Sequence, residues 1–423
     1  MLATALFVAL LTQVSAVNVS PLIAAGADVQ KVMEASVVGP IPGITTASYA
    51  GLISTNVTDN AEAFYWYFPP LNGNLSAPVI VWLQGGPGSS SLFGAFLELG
   101  PYRINANLTA EANPFTWGLT NHLVFLDNPR GTGFSSADTL CTDWQCYGGD
   151  FDVFIRQFLQ GYGLLPNQLW ITGESYGGHY VPASAYSVHL GNAGSATPKV
   201  NLQGIAIGNG FVAPLEMSGG YADLIFQTGL ISLPEYAVAQ QYVRNITAAI
   251  AAGDLVAAYL VWDAFLNGDS TPGGAWYTNV TGLTNYFNIA EETPAAYSYL
   301  DPWVNSAAVR SALGVGARPY QDGNLAVELA LKGDVMFSQK PNLEALLTAG
   351  YGVLLYNGAL DIICGAPLTE RYVPTLTWPG SQGWLASSKV QWHDPATPGA
   401  VSGYSRSFSN LNHVVMRGAG HMA

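Results

Sequence analysis

The 423-residue chain has few cysteines, few basic residues and, after its first residues, no long apolar run. Its three cysteines cannot build the disulfide framework that stabilises small secreted domains. Only 14 basic residues oppose 28 acidic ones, and the formal net charge of −14 argues against a face that binds nucleic acid. Beyond the N-terminus no uncharged apolar stretch reaches the roughly 18 residues that span a bilayer. We therefore expect neither nucleic acid nor a membrane as a partner.

Apolar residues, in contrast, make up 49% of the chain and charged residues only 10%, so a sizeable core is available. The first 16 residues stand apart. An apolar run at residues 2–11 precedes a small-residue pattern that ends at Ala16, which is typical of a secretory signal peptide. We expect cleavage after Ala16 and a mature protein in the lumen of the secretory pathway, either secreted or held in a vacuole or lysosome.

Two further features suit that compartment. Cys141 and Cys146 flank a short loop and could form a small disulfide, which leaves Cys364 as a free thiol. No cluster of Cys and His has the spacing of a zinc site, so we expect no metal and no cofactor. Six N-x-S/T sequons are candidates for glycosylation, at Asn18, Asn56, Asn74, Asn107, Asn245 and Asn279.

Short apolar runs followed by Gly- or Pro-containing loops predict buried parallel strands. The strong candidates are residues 79–83, 122–126, 169–172 and 353–356, and the weaker ones are 205–207 and 414–416. Helical patterns, for example at 151–162, lie between them. This alternation predicts an α/β fold with a mainly parallel central sheet flanked by helices.

One long stretch differs from this alternation. Residues 211–331 are rich in Ala and Tyr, mostly helical in pattern, and contain no strong strand. We interpret this stretch as a helical insertion, or cap, in a sheet domain formed by residues 17–210 and 332–423.

The segment Gly173-Glu174-Ser175-Tyr176-Gly177 matches the pattern G-x-S-x-G. Glycine-rich βα turns without chemistry also match it, so the context decides. A predicted strand precedes it, a helical pattern follows, and the glycines permit the tight turn that exposes a serine hydroxyl. We interpret Ser175 as a nucleophile. His179 lies one helical turn further on, points away from that hydroxyl and cannot serve as its base.

A serine nucleophile needs a base and an acid that orients the base. On α/β-hydrolase sheets these follow the serine in the order Asp or Glu, then His. Asp361 lies in the loop after the strand at 353–356, and His421 lies in a Gly-rich loop after another predicted strand. Catalytic groups favour such loops. Of the other downstream histidines, we expect His413 to be structural and His393 to be exposed.

The loop from Gln84 to Ser91 directly follows the strand at 79–83, and its glycines let the backbone approach a substrate closely. A phosphate-binding loop is the alternative, but neither of the usual phosphate-binding motifs is present. An oxyanion hole needs two backbone N–H donors. We expect one donor from this loop and the other from Tyr176.

Four motifs together resemble the serine carboxypeptidases: WLQGGPG at 82–88, GESYGG at 173–178, YNG at 356–358 followed by Asp361, and GAGHM at 418–422. The resemblance extends from about residue 37 to the last residue. Gln84 and the absence of Cys at position 89 are most similar to the vitellogenic-like branch. The resemblance implies an α/β-hydrolase fold with a helical insertion, and an enzyme that removes C-terminal residues of peptides and proteins at acid pH.

The family's catalytic roles transfer position by position. Ser175 resembles the nucleophile, His421 the base and Asp361 its partner. Gly86 and Tyr176 match the donors of the oxyanion hole.

The substrate-binding roles transfer in the same way. Ile363 and Cys364 match the S1 pocket, which takes the residue before the scissile bond. The positions that hold the substrate's terminal carboxylate are Gln84, Gly85, Glu98 and Glu174. Two ionised glutamates would repel that carboxylate, so the pair is expected to bind it in a protonated state.

Two departures from the family pattern generate further expectations. Ser89 replaces a Cys that elsewhere ties the oxyanion loop to the insertion, so we expect a more mobile loop. Family members continue through a closing helix after the catalytic histidine, whereas this sequence stops two residues after His421. The closing C-terminal helix is therefore expected to be missing. A catalytically weak or inactive truncated product remains an alternative function, as do a non-catalytic binding product, an acyltransferase of the same family and a hydrolase of ordinary esters.

Overall fold

The computed structural model describes residues 16–422, and all statements below concern that part of the chain. The predicted signal peptide, residues 1–16, lies outside it except for Ala16. The strands are β1 (Tyr49–Asn56), β2 (Ala61–Phe68), β3 (Val79–Leu83), β4 (Tyr102–Ile104), β5 (Ala110–Ala112), β6 (His122–Leu126), β7 (Leu169–Glu174), β8 (Leu202–Gly208), β9 (Gly352–Gly358), β10 (Val390–Trp392), β11 (Gly403–Phe408) and β12 (Leu411–Met416).

Ten of these strands form one sheet in the order β1-β2-β6-β3-β7-β8-β9-β12-β11-β10. The six strands from β6 to β12 pair in parallel, whereas the pairs at both edges are antiparallel. β4 and β5 form a separate two-stranded hairpin. The mixed sheet with flanking helices confirms the predicted α/β architecture.

The six parallel strands are the six runs that the sequence predicts. β3 and β6 have the predicted bounds, and the other four extend beyond them. The antiparallel strands at the edges were not predicted, because their short or aromatic stretches lack the apolar run followed by a glycine loop that marks the parallel strands.

The sheet separates two apolar clusters. On β3, Val79, Val81 and Leu83 belong to one cluster and Trp82 to the other, because successive side chains of a strand point to opposite faces. β6 is buried at all five positions. The strands in the middle of the sheet are therefore covered on both faces, and their C-terminal ends are held in fixed positions.

The helices flank the sheet and fill the long connection between β8 and β9, in which the described chain has no strand. The proposed insertion, residues 211–331, lies within this connection, and its bounds stay a prediction. The α-helices are α1 (Ser20–Ala24), α2 (Val29–Ser36), α3 (Trp144–Gly161), α4 (Gly177–Ala193), α5 (Pro214–Ser218), α6 (Tyr221–Gln227), α7 (Leu233–Ala251), α8 (Leu255–Trp262), α9 (Trp276–Thr281), α10 (Leu300–Val304), α11 (Ala307–Leu313), α12 (Leu325–Leu331), α13 (Lys340–Thr348), α14 (Ala366–Tyr372) and α15 (Ser381–Ala386).

The cysteines occupy two places. Cys141 and Cys146 form a disulfide just before and within the first turn of α3, whose N-cap Asp143 accepts a hydrogen bond from the Cys146 N–H. Cys364 is free and buried. Among the described residues, the one grouping of potential metal ligands joins this disulfide to Asp150, and disulfide sulfurs are not thiolate ligands.

Candidate active site

Ser175 lies on the turn between β7 and α4 with φ of 62°, a left-handed conformation that is uncommon for a residue with a side chain. Three hydrogen bonds hold it there. Its N–H donates to the Gly208 carbonyl at 3.1 Å, and its carbonyl accepts from the N–H groups of Gly178 and Phe211 at 2.8 Å each. The turn is therefore fixed from both sides by the end of β8. Such strain persists where the surrounding structure over-determines it, which is frequent at active sites.

Asp361 and His421 are brought together from loops that follow β9 and β12. The Nδ1 of His421 lies 2.7 Å from Oδ2 of Asp361, and both side chains are buried. The His421 Nε2 has no hydrogen-bond partner in the described protein. His421 and Ser175 line the same cleft. An imidazole oriented by a carboxylate on one nitrogen and free on the other is the arrangement that a general base requires.

Asn209 completes the surroundings of Asp361, and the sequence analysis missed it. Its side-chain amide donates to Oδ2 of Asp361 at 2.6 Å, and its carbonyl oxygen accepts from the Gly358 N–H at 2.8 Å. The N–H groups of Ile363 and Cys364 also donate to Asp361, at 2.9 and 3.2 Å. The only available signal was its position directly after a strand, in Gly208-Asn209-Gly210.

The other histidines lie elsewhere. His413 is buried on β12, where its Nε2 lies 3.0 Å from the Asn357 side-chain oxygen. His393 is exposed and its Nδ1 lies 2.8 Å from the Ala400 carbonyl. Neither lines the cleft that holds Ser175.

A segment of the connection between β8 and β9 holds the loops of Asp361 and His421 by backbone hydrogen bonds. The Phe287 carbonyl accepts from the His421 N–H at 2.7 Å, and the Tyr286 carbonyl accepts from the Ile362 N–H at 3.0 Å. The Phe287 ring also packs against the His421 ring with centroids 4.8 Å apart. The loops of Asp361 and His421 thus depend on residues far from them in sequence.

The loop after β3 brings its backbone against the serine turn. A Cβ atom on Gly85 would lie 2.6 Å from both the Ser175 Cβ and the Tyr176 N, so only glycine fits there. Gly86 has φ of 111°, which glycine adopts without strain. Gly86, Ser89 and Ser175 line the cleft together. This close contact between Gly85 and the serine turn brings together the two segments that carry the predicted oxyanion donors, Gly86 and Tyr176.

The same loop is tied to its surroundings by serines and buried acids. The Ser90 hydroxyl and the Ser91 N–H both donate to Oδ1 of Asp127, at 2.6 and 3.1 Å. The Ser90 N–H donates to Asp322 at 3.0 Å, and the Gly88 carbonyl accepts from Asn324 at 3.0 Å. Hydrogen bonds thus connect the loop to residues 322–324, in the connection between β8 and β9. The mobility expected from Ser89 stays a prediction.

Gln84 and Glu174, which are buried, and Glu98, which is partly exposed, form a polar cluster beside Ser175. The Gln84 amide nitrogen donates to Glu174 at 3.0 Å and to Glu98 at 3.2 Å, and its oxygen accepts from the Trp82 indole at 2.7 Å. Burial raises the pKa of Glu98 to about 8, and burial together with the charge of Glu98 raises the pKa of Glu174 well above its usual value. The cluster therefore holds protons at mildly acidic and neutral pH.

A cleft of about 190 Å³ lies beside this cluster and is lined by Gln84 and Glu174 but not by Glu98. The sheet domain contributes Ser175, His421, Gln84 and Glu174 to it, and the connection between β8 and β9 contributes aromatic side chains such as Tyr297. Ile363 lies on its wall, whereas Cys364 is buried behind that wall and burial raises the pKa of its thiol. No lysine or arginine lines the cleft, which is therefore an acid-lined site without a fixed positive charge.

Comparisons with known proteins identify the family. The serine carboxypeptidase family profile matches residues 40–423. A human protein described as probable serine carboxypeptidase CPVL is 38% identical over 412 residues, which cover 95% of this chain and 85% of that protein. The venom serine carboxypeptidase of Apis mellifera is 38% identical over 382 residues, which cover 89% of this chain and 80% of that protein. The vitellogenic carboxypeptidase of Aedes aegypti is 34% identical over 389 residues, which cover 89% of this chain and 79% of that protein.

One solved structure supports the fold. The prohormone-processing carboxypeptidase Kex1 of Saccharomyces cerevisiae superposes with a TM-score of 0.79 and 23% sequence identity, and the match covers 92% of each chain.

Proposed function

The chain belongs to the serine carboxypeptidase family, and on that premise we propose that Ser175, His421 and Asp361 are the residues that cleave the last peptide bond of a substrate. The observation that carries this assignment is the shared cleft, in which Ser175 and the free Nε2 of His421 lie beside Glu174, a buried carboxyl group whose pKa is raised well above its usual value.

The proposed reaction has two halves. The Ser175 hydroxyl oxygen attacks the carbonyl carbon of the last peptide bond while its proton passes to His421 Nε2. The N–H groups of Gly86 and Tyr176 stabilise the resulting oxyanion. The C–N bond then breaks, and His421 returns the proton to the leaving amino group. In the second half a water molecule attacks the acyl carbon and gives a proton to His421. The bond between the acyl carbon and the Ser175 oxygen then breaks, and His421 passes the proton to that oxygen.

The glutamate cluster explains why the enzyme acts at a chain terminus. A terminal carboxylate that enters beside Glu98 and Glu174 meets protonated carboxyl groups, which donate hydrogen bonds instead of repelling it. Gln84 and the Gly85 N–H supply further donors. An internal peptide bond offers no carboxylate to this cluster, so we expect selectivity for peptide and protein C-termini. Ile363 is proposed to contact the residue before the scissile bond.

We further propose that the protein works in the lumen of the secretory pathway, secreted or in a vacuole or lysosome. No helix in residues 16–422 is long and apolar enough to cross a membrane. Of the candidate glycosylation sites, Asn74, Asn107, Asn245 and Asn279 are exposed. The Asn18 amide is partly buried and donates to Ser54 and Glu62, both at 2.8 Å.

The experiment is amino-acid release from N-blocked dipeptides between pH 4 and 8. We expect release to peak in acid and to be lost in Ser175→Ala. Ser195→Ala is the matched control, because Ser195 is exposed and lies outside the cleft. The same dipeptides with a C-terminal carboxamide test recognition of the carboxylate and should be cleaved far more slowly. Equal release by Ser175→Ala would contradict the assignment.

A further inference from the structure

His179 lies beneath the serine turn and has no place in the reaction described above. It is fully buried in the first turn of α4. Its Nδ1 lies 2.5 Å from the Phe211 carbonyl oxygen, and its Nε2 lies 2.8 Å from the Phe337 carbonyl oxygen. A carbonyl oxygen can only accept a hydrogen bond. A neutral imidazole carries one N–H, so it satisfies only one of these contacts, whereas an imidazolium satisfies both.

The surroundings of His179 suit a positive charge in two ways. The carboxylate of Asp334 lies nearby and contributes a favourable charge. The ring of Tyr176 stacks on the imidazole with centroids 4.4 Å apart and planes 8° from parallel, a geometry in which an aromatic face attracts a cation. Burial raises the pKa of the neighbouring Tyr147, Tyr176 and Tyr180 hydroxyls well above the usual value, so these groups do not titrate together with His179.

Asp334 and His179 hold Tyr176 from two directions. Oδ2 of Asp334 accepts hydrogen bonds from the hydroxyls of Tyr176 and Tyr147 at 2.7 and 2.8 Å, and Oδ1 accepts from the Trp144 N–H at 3.1 Å. Tyr176 is the residue proposed to give its backbone N–H to the oxyanion hole. Its ring is therefore fixed by the stacked imidazole on one face and by the carboxylate at its hydroxyl.

Phe211 links the same imidazole to the serine. Its carbonyl contacts His179, and its N–H donates to the Ser175 carbonyl at 2.8 Å. Phe337 forms the second contact, and it belongs to the turn that follows Asp334. One buried ring thus connects the serine turn to two separate segments of the chain.

We propose that His179 is a positioning residue for acyl transfer: as an imidazolium it donates to the carbonyls of Phe211 and Phe337, and so fixes Ser175 and the Tyr176 N–H. This inference rests on the roles proposed for Ser175 and Tyr176. Burial lowers the pKa of His179, against the opposing effects of Asp334 and the two carbonyls. Both hydrogen bonds to the carbonyls of Phe211 and Phe337 are therefore present in acid, and one is lost as the pH rises. This pH dependence arises from His179 and is separate from that of Glu98 and Glu174.

The protonation state is measured directly by NMR of ¹⁵N-histidine-labelled protein from pH 4 to 7. The chain has six histidines, and the signals that vanish in His179→Gln assign this ring. We expect both ring nitrogens to be protonated at pH 5. Asp334→Asn removes a charge that favours the imidazolium, so the titration of His179 should move to lower pH. This second variant provides a test if His179→Gln does not fold. A ring with a single N–H at pH 5 would overturn the proposal.

Kinetics test the positioning role with the p-nitrophenyl ester of an N-blocked amino acid, whose leaving group has no carboxylate for the glutamate cluster. We expect kcat of the wild type to fall as His179 loses its proton. At pH 5, kcat of His179→Gln should be at least about tenfold lower with little change in KM, because hydrogen bonds to charged groups are strong. The exposed His393→Gln is the control. If kcat of His179→Gln still falls over the same pH range as kcat of the wild type, His179 is not a positioning residue. Activity in Ser175→Ala would instead refute the proposed function.

Discussion

The two ends of the candidate active site are held in different ways. Ser175 and its oxyanion loop are fixed by the sheet, through Gly208 at the end of β8 and through the buried carboxylate of Asp127. His421 and the loop of Asp361 instead depend on backbone hydrogen bonds from Phe287 and Tyr286, in the connection between β8 and β9.

The difference assigns distinct tasks to the two regions. Buried parallel strands position a group with little freedom, because both faces are packed. A loop held by a few hydrogen bonds to a surface segment opens at lower cost. The serine end is thus expected to be the rigid part of the site. The histidine end is expected to respond to changes in the connecting segment, which also forms the wall of the cleft.

The largest effect on kcat is expected when Asp361, the carboxylate that contacts His421, is replaced. Asp361→Asn keeps the shape of the side chain but removes the charge that orients His421, so kcat should fall by about 10³–10⁴-fold. Release of the C-terminal residue from a dipeptide measures it, and the thermal unfolding midpoint serves as the folding control. A loss of less than about tenfold would mean that Asp361 does not orient the base.

A smaller effect should follow when the histidine end is separated from the connecting segment. A Cβ on Gly420 would lie 2.5 Å from the Phe287 carbonyl oxygen, whereas a Cβ on Gly418 would meet nothing within 4 Å. Gly420→Ala should therefore displace His421 and reduce kcat by about 10–100-fold. Gly418→Ala is the matched control and should retain wild-type kcat. Equal values for the two variants would show that the contact with Phe287 does not position His421.

The glutamate cluster belongs to the serine end and should affect binding rather than chemistry. As the pH rises through the pKa of Glu98, about 8, the cluster loses the protons that bind the substrate carboxylate, so KM should rise. In Glu174→Gln one of the two titrating groups becomes an amide that donates at every pH, so the rise in KM from pH 6 to 9 should be smaller than in the wild type. The exposed Glu292→Gln is the control and should keep the wild-type dependence. An unchanged pH dependence in Glu174→Gln would remove the cluster from carboxylate recognition.

The smallest effect is expected on stability. Burial raises the pKa of Asp127 to about 6, of Asp322 to about 7 and of Glu98 to about 8. At a pH between the ordinary and the raised pKa of such a group, the folded protein holds a proton that the unfolded chain has released. The free energy of unfolding therefore falls as the pH rises. The thermal unfolding midpoint should therefore be lower at pH 8 than at pH 5.

A Glu98→Gln variant should show a shallower decline in the unfolding midpoint over that pH range. A midpoint that rises from pH 5 to pH 8 in the wild type would contradict the raised pKa values at the serine end.

Much of the fold could be predicted because its signals are local. The apolar runs at residues 79–83 and 122–126 have the bounds of β3 and β6, since a strand buried on both faces needs a continuous apolar sequence. Asn209 could not be predicted as a partner of Asp361. The two residues meet only after β8 and β9 pair across a connection of more than a hundred residues, and an isolated Asn between glycines has many other uses.

The sequence by itself determined the order of the parallel strands along the chain, the serine turn between two glycines and the family to which the chain belongs, because these depend on neighbouring residues. Only the tertiary structure decided that Phe287 braces His421, that Asp127 anchors the oxyanion loop and that both nitrogens of His179 face carbonyl oxygens. Each of these contacts joins residues that are distant in sequence. The protonation of the buried acids and histidines depends on burial that exists only after the chain has folded.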